Sequence, residues 1–163
     1  ATNAGQIKTG SLCRTDRVMK GYWNRPEATE EALRDDWYHS GDAGYFDEEG
    51  FLYVVDRIKD MVISGGENIY PVEVENELIQ HPDIDDVAVI GIPDAKWGES
   101  LLACIIPRAG ARPEPADLEA FLRPRLAGYK IPRKYIFVDS FPRNATGKVL
   151  KRQMRLDFAD YSA

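Results

Sequence analysis

The residues able to do chemistry fall in three short segments. The first is Pro142-Arg143-Asn144-Ala145-Thr146-Gly147-Lys148, a polar loop that reads as flexible and ends on a lysine at the start of an amphipathic helix. A single cation at a loop tip suits phosphate chemistry. At ~4 Å a unit charge pair contributes about 1 kcal/mol in bulk water and several times more in a closed, drier site. By spacing alone, a solvated lysine at a helix start fits equally well, and the GxxxxGK[ST] spacing of the common phosphate loop is absent. The second segment is Tyr38-His39-Ser40-Gly41-Asp42-Ala43-Gly44, where Gly41 permits a tight turn and Asp42 offers a carboxylate suited to a vicinal diol such as a ribose. By itself an aspartate between glycines is more often a turn residue, and His39 reads as a structural polar group rather than an acid-base catalyst. The third runs from Asp56 to Pro71, dense in charge beside a glycine pair. Such a segment could serve a hinge, but by itself it reads first as a polar linker.

The elements that must carry these segments follow from periodicity. Residues 5 to 55 read as short strands and turns, clearest at Gly5 to Arg14 and Gly50 to Val55, around one short helix from Pro26 to Leu33. Beyond Asp56 the pattern becomes a self-consistent small α+β unit, so the predicted domains are 1–56, the β-rich end of a larger N-terminal domain, and 57–163. In the second, Met61 to Ile69 predicts a hairpin turning at Ser64-Gly65-Gly66-Glu67. A helix from Pro71 follows, ended by His81-Pro82, and then two buried strands at Asp86 to Ile92 and Leu101 to Pro107. A second helix is expected from Pro115 to Ala127, kinked at Pro124 and stopped by Gly128. A strand at Tyr135 to Val138 and a last helix with Leu150, Met154 and Phe158 on one stripe complete a three-stranded sheet flanked by helices.

Composition excludes several classes. The 163 residues are 44% hydrophobic, enough for a real core, and the formal charge of -6 argues against generic binding to nucleic acid or anionic lipid. No apolar run approaches the roughly 20 residues of a membrane span. Cys13 and Cys104 lie far apart, and with two histidines they show no metal-ligand spacing, so no metal site is expected and a reducing, cytoplasmic setting fits best. The chain has no starting methionine and opens just before a predicted strand, which reads as a piece cut from something longer.

Five segments in order resemble the adenylate-forming superfamily of acyl- and aryl-CoA synthetases, peptide-synthetase adenylation domains and beetle luciferases. They are Met19 to Thr29, Ser40-Gly41-Asp42, Asp56 to Glu75, Asp94-Ala95-Lys96-Trp97-Gly98-Glu99, and Pro142 to Arg152. The resemblance implies a two-step ligase: a carboxylate attacks the α-phosphate of Mg-ATP to give an acyl-adenylate, then a thiol, commonly that of CoA, displaces AMP. In that scheme Asp42 holds the ribose hydroxyls, Arg57 lies near the same nucleotide, and Lys148 is catalytic in adenylation. Lys59 is the hinge about which the C-terminal domain alternates, withdrawing Lys148 and bringing the hairpin with Gly65, Gly66 and Glu67 up to the pantetheine tunnel. Trp97 stands where CoA-using relatives stack the adenine, with Tyr129 assisting, and Ile131 replaces an extra basic residue that some relatives carry. The lysine supporting luciferase oxidation is absent, its place taken by Ile63. The resemblance also implies a partner, the protein's own N-terminal AMP-binding domain, without which the fragment is not expected to be fully active. A fatty acid is the expected substrate. The alternatives are an adenylation domain that loads a carrier protein and a catalytically inactive interaction module.

Overall fold

The structure, a computed structural model, describes residues 8–9 and 12–161. The rest of the strand expected over Gly5 to Arg14, namely 5–7 and 10–11, lies outside the described residues. The chain divides into two compact units, Ala1–Lys59 and Asp60–Ala163.

The first unit is built from short antiparallel pieces: β1 (Lys8–Thr9), β2 (Leu12–Cys13), α1 (Pro26–Ala32), β3 (Leu33–Arg34), β4 (Trp37–His39), β5 (Asp42–Phe46) and β6 (Leu52–Arg57). They form two three-stranded sheets, β1-β5-β6 and β2-β4-β3. Pro26 opens α1 where its missing N–H is no loss, and Glu27 in the first turn favours the dipole. This unit barely has a core. Among its residues 12–59 only Ala43 and Gly44 are buried, while Leu12, Trp23, Phe46, Phe51, Leu52, Tyr53 and Val54 are exposed.

The second unit has a full core. After the 3-10 turn Ile58–Asp60, which spans the boundary, its elements are β7 (Val62–Ser64), β8 (Glu67–Ile69), α2 (Pro71–Leu78), β9 (Ile84–Asp94), β10 (Gly98–Pro107), α3 (Pro115–Leu122), β11 (Lys134–Phe137) and α4 (Lys151–Asp157). β10 pairs antiparallel with β9 and parallel with β11, and the β7–β8 hairpin joins its start through Gly98 opposite Ser64. Strand periodicity sorts β9 and β10 onto two faces. Val87, Val89, Leu101, Ala103 and Ile105 pack with Val74, Leu78, Leu118 and Leu122 of α2 and α3. Ala88, Ile90, Ile92, Leu102 and Cys104 pack with Phe141 and Met154 on the α4 side. A sheet covered on both faces needs apolar residues at every position, which is why both strands read as unbroken apolar runs.

Three expectations need correction. The helix from Pro115 stops at Leu122 and is not kinked at Pro124: that proline has no N–H to donate and its ring crowds the carbonyl one turn back, so the helix ends. Gly128 accordingly does not cap this helix but opens a 3-10 turn, Gly128–Lys130. The last helix begins at Lys151, leaving Leu150 outside it and 40% exposed, so only Met154 of the predicted stripe is fully buried.

Candidate functional site

In the first unit the β5–β6 register sets Asp42 opposite Arg57, and Arg57 Nε lies 3.3 Å from Asp42 Oδ1. The backbone turns in just before them. Gly41 adopts φ +74°, open to glycine and strained for other residues, and its carbonyl accepts from Ile58 N–H at 2.9 Å. Ser40 Oγ accepts from the Asp42 N–H at 3.1 Å. The ion pair is half exposed and worth little as a tether, about 0–1 kcal/mol. Beside it opens a cleft of about 530 Å³ lined by Arg25, Arg34, Arg57 and Lys59, with Glu31 its one carboxylate lining residue. His39 also lines it and stands 3.3 Å from an Arg34 guanidinium nitrogen through Nδ1.

The backbone on either side of Lys59 is anchored. Ile58 bonds to Gly41 within the first unit, whereas Asp60 in the second is held by Arg155 of α4, through its carboxylate at 3.2 Å and its carbonyl at 3.4 Å. Lys59 is the residue between the two anchors.

The hairpin turn is tight and packed against the Trp97 loop. Gly65 and Gly66 have φ +59° and +86°, the positive values that a two-residue turn between right-twisted strands requires. Gly65 N–H donates to Trp97 carbonyl oxygen at 2.9 Å, and Ile63 N–H donates to Glu99 Oε2 at 2.9 Å. Trp97 lies directly over Gly65: a Cβ there would come within 2.7 Å of ring atom Cε3. Lys96 Nζ and the Arg133 guanidinium lie 4.8 and 4.9 Å from the Trp97 ring centroid. Asp94 Oδ1 holds the loop that presents Trp97, accepting from the Trp97 and Lys96 N–H groups, and these two donors draw its carboxyl below the ordinary value. Glu67 is exposed at the start of β8.

Lys148 sits on a hydrogen-bonded turn. Arg143 and Val149 face each other across an antiparallel bridge, Asn144 N–H donates to Lys148 carbonyl oxygen at 3.0 Å, and Leu150 N–H donates to Pro142 carbonyl oxygen at 2.8 Å. Arg143 also donates to Gly147 carbonyl oxygen at 2.6 Å and pairs with Asp86. Val149 and Leu150 separate Lys148 from α4, whose first residue, Lys151, is pinned to Glu75 at 2.7 Å with both side chains largely buried. Lys148 itself is exposed, and among the described residues no carboxylate pairs with it.

The structure thus joins Asp42 with Arg57 and Gly65 with Trp97. Tyr129 is 46% exposed beside Lys130, which is occupied by both oxygens of Glu73 at 2.7 Å. Among the described residues no ring contact links Tyr129 to Trp97. Sequence reasoning missed Asn144, Asp86, Glu75 and Arg155 as supports of these groups. Only Asn144 left a trace, since Asn followed two residues later by Thr and then Gly is a turn signature. Among the described residues no group of three or more His, Cys, Asp or Glu side chains is arranged to hold a metal ion, and no helix is long and apolar enough to cross a membrane.

Comparison with known proteins places this geometry in a family. Residues 73–148 match the model of the AMP-binding enzyme C-terminal domain. A feruloyl-CoA synthase from Amycolatopsis sp is 55% identical over 141 residues, 86% of this chain and 29% of the relative. A fatty acid–[acyl-carrier-protein] ligase from Streptomyces coeruleorubidus is 46% identical over 155 residues, 94% of this chain and 30% of the relative. Among solved structures, o-succinylbenzoate CoA synthetase from Bacillus subtilis in complex with its acyl-adenylate intermediate superposes with a TM-score of 0.83 at 39% identity, covering 92% of this chain and 33% of that one. The chain spans about 30% of the length of the curated relatives it matches. Over residues 73–148 it matches the C-terminal domain of the adenylate-forming, AMP-binding enzymes.

Proposed function

We propose that this chain serves an ATP-dependent acid–thiol ligase, supplying Lys148 to the step that forms an acyl-adenylate and the Gly65-Gly66-Glu67 hairpin to the step that forms an acyl-CoA thioester. The observation carrying this reading is Lys148, an exposed cation held on a closed turn with no carboxylate to neutralise it among the described residues. A carboxylate approaching a phosphate brings two anions together, and a positioned ammonium lowers the barrier by offsetting their repulsion as the bond forms. Asp42, with Oδ1 turned to Arg57, offers acceptor oxygens to the ribose hydroxyls, and the Arg57 guanidinium lies beside the same nucleotide. Mg2+ enters as the companion of the ATP phosphates.

Lys59 is the hinge in this reading, supported by the anchors at Ile58 and Asp60 that leave one residue to absorb a change of φ and ψ. With domains 1–56 and 57–163 in the roles described, the second domain rotates to exchange Lys148 for the hairpin. Trp97, Tyr129 and the cations Lys96 and Arg133 suit the adenine and phosphates of CoA. The exposed apolar residues of the first unit, Phe46, Phe51 and Val54 among them, suit burial against an N-terminal AMP-binding domain. A fatty acid is the proposed substrate and the cytoplasm the proposed setting; aromatic acids and transfer to a carrier protein are the competing readings, since relatives named for each are 55% and 46% identical.

The test separates the two half-reactions in an enzyme of full family length bearing this chain. Lys148→Ala should slow adenylation, followed by pyrophosphate release, by a factor on the order of 1000 while sparing thioester formation from supplied acyl-adenylate. Lys59→Pro, which fixes φ, should do the converse. Equal loss in both half-reactions for Lys148→Ala would refute the reading.

A further inference from the structure

We infer that Asn144 is a positioning residue for Lys148: its side-chain oxygen builds the turn that fixes where the lysine backbone lies before any ligand arrives. The inference rests on the adenylation role proposed above and adds to it the group that sets the geometry.

The hydrogen bonds are specific. Asn144 Oδ1 accepts from three donors at once: Thr146 N–H at 3.0 Å, Thr146 Oγ1 at 2.8 Å and Lys148 N–H at 2.9 Å. An amide oxygen has two lone pairs, so three donors more than saturate it, two of them sharing one pair. The Asn144 backbone is used as well. Its carbonyl accepts from Gly147 N–H at 2.9 Å and its N–H donates to the Lys148 carbonyl at 3.0 Å. Both backbone polar groups of Lys148 are therefore bonded to Asn144, one to its side chain and one to its main chain. Gly147, at φ +82°, makes the reversal that brings them together.

The turn is itself fastened to the domain. Arg143 joins it to Asp86 in β9, and three residues after Lys148 the Lys151–Glu75 pair ties the chain to α2. Glu75 Oε1 also accepts the Val89 N–H of β9 at 2.7 Å, so this fastening reaches the sheet. A loop that ordered only on binding would have to lose that freedom at each turnover, whereas a turn closed in advance leaves only the lysine side chain to be placed. Asn144 does not need to touch substrate to matter.

Removing the side-chain oxygen should release the Lys148 backbone without unfolding the domain, because Asn144 is exposed and belongs to neither hydrophobic cluster. Misplacing a catalytic group by about 1 Å lowers the rate by on the order of 100-fold. Asn144→Ala should therefore lower kcat for adenylation by about that factor, with KM for ATP nearly unchanged and thioester formation from supplied acyl-adenylate intact. Asn144→Asp keeps the acceptor and should recover most of the loss, more fully at high salt, where its added charge is screened. In the 163-residue chain, amide hydrogen exchange at Lys148 should be slowed in the parent and in Asn144→Asp and fast in Asn144→Ala.

Lys148→Ala in parallel distinguishes the two ideas. If Lys148→Ala abolishes adenylation and Asn144→Ala leaves it unchanged, the positioning role is overturned and the ligase reading survives. If Lys148→Ala has no effect, both are overturned. Equal loss in both half-reactions for Asn144→Ala, or an unprotected Lys148 amide in the parent chain, would also overturn the positioning role.

Discussion

Gly65→Ala and Gly66→Ala make a matched pair that measures how firmly the hairpin is seated on Trp97. Both glycines have positive φ, +59° and +86°, so each alanine takes on a left-handed backbone at about 1–2 kcal/mol. At Gly66 nothing else changes, because no heavy atom lies within 4 Å of the new methyl. At Gly65 the methyl would stand 2.7 Å from Trp97 Cε3 and 3.1 Å from Cζ3, so the ring must move. Overpacking of this kind costs about 1–3 kcal/mol, and displacing the ring also weakens the contacts with Lys96 and Arg133, each worth about 0.5–1 kcal/mol at an exposed site. The expected difference between the two variants is therefore about 2 kcal/mol. Urea unfolding followed by far-UV circular dichroism reads it: with an m-value of about 2 kcal/mol per molar, the midpoints should differ by about 1 M, with Gly65→Ala the weaker. Coincident midpoints would show that Trp97 yields freely and that the hairpin is not seated on it.

Two further outcomes follow from the ionisable groups. Burial, with a smaller contribution from the nearby Glu75 carboxylate, pushes the Cys104 thiol up to about 12, so it stays protonated at neutral pH. A thiol reagent at about pH 8 should modify exposed Cys13 in the native chain and reach Cys104 only after unfolding; equal native rates by mass spectrometry would contradict the core assignment. Asp94 is held below its ordinary value of 3.8 by the Trp97 and Lys96 N–H donors. A depressed carboxyl stabilises the fold above its unfolded pKa, and that contribution disappears as pH falls through the folded one. The stability gap between the parent and Asp94→Asn should be constant above about pH 5 and shrink below about pH 4; a gap that grows on acidification would refute the assignment.

The second unit was legible because its signals are local and agree with one another. A glycine pair between β-forming residues makes a hairpin with few alternatives, and two apolar runs of strand length rich in Val and Ile read as interior strands. The Pro124 error has a local cause too: periodicity continued through Leu126, but the proline removes one donor from the hydrogen-bond ladder and the regular helix stops at Leu122. The first unit was harder to read, since pieces as short as two residues carry almost no periodicity.

By itself the sequence determined the chemistry on offer: which residues carry charge, which turns demand glycine, and which family the spacing of five segments resembles. Tertiary structure decided what each group can do. Asp42 and Arg57 lie 15 positions apart and meet only because a strand register sets them opposite each other. Lys130 and Lys151 look as available as Lys148 in the sequence, yet folding gives Glu73 to one and Glu75 to the other. Lys148 is exposed and no carboxylate among the described residues reaches it, while Asn144 and Arg143 bond to the backbone around it. Spacing along a chain cannot encode that distinction, since it depends on which carboxylates arrive from elsewhere in the fold.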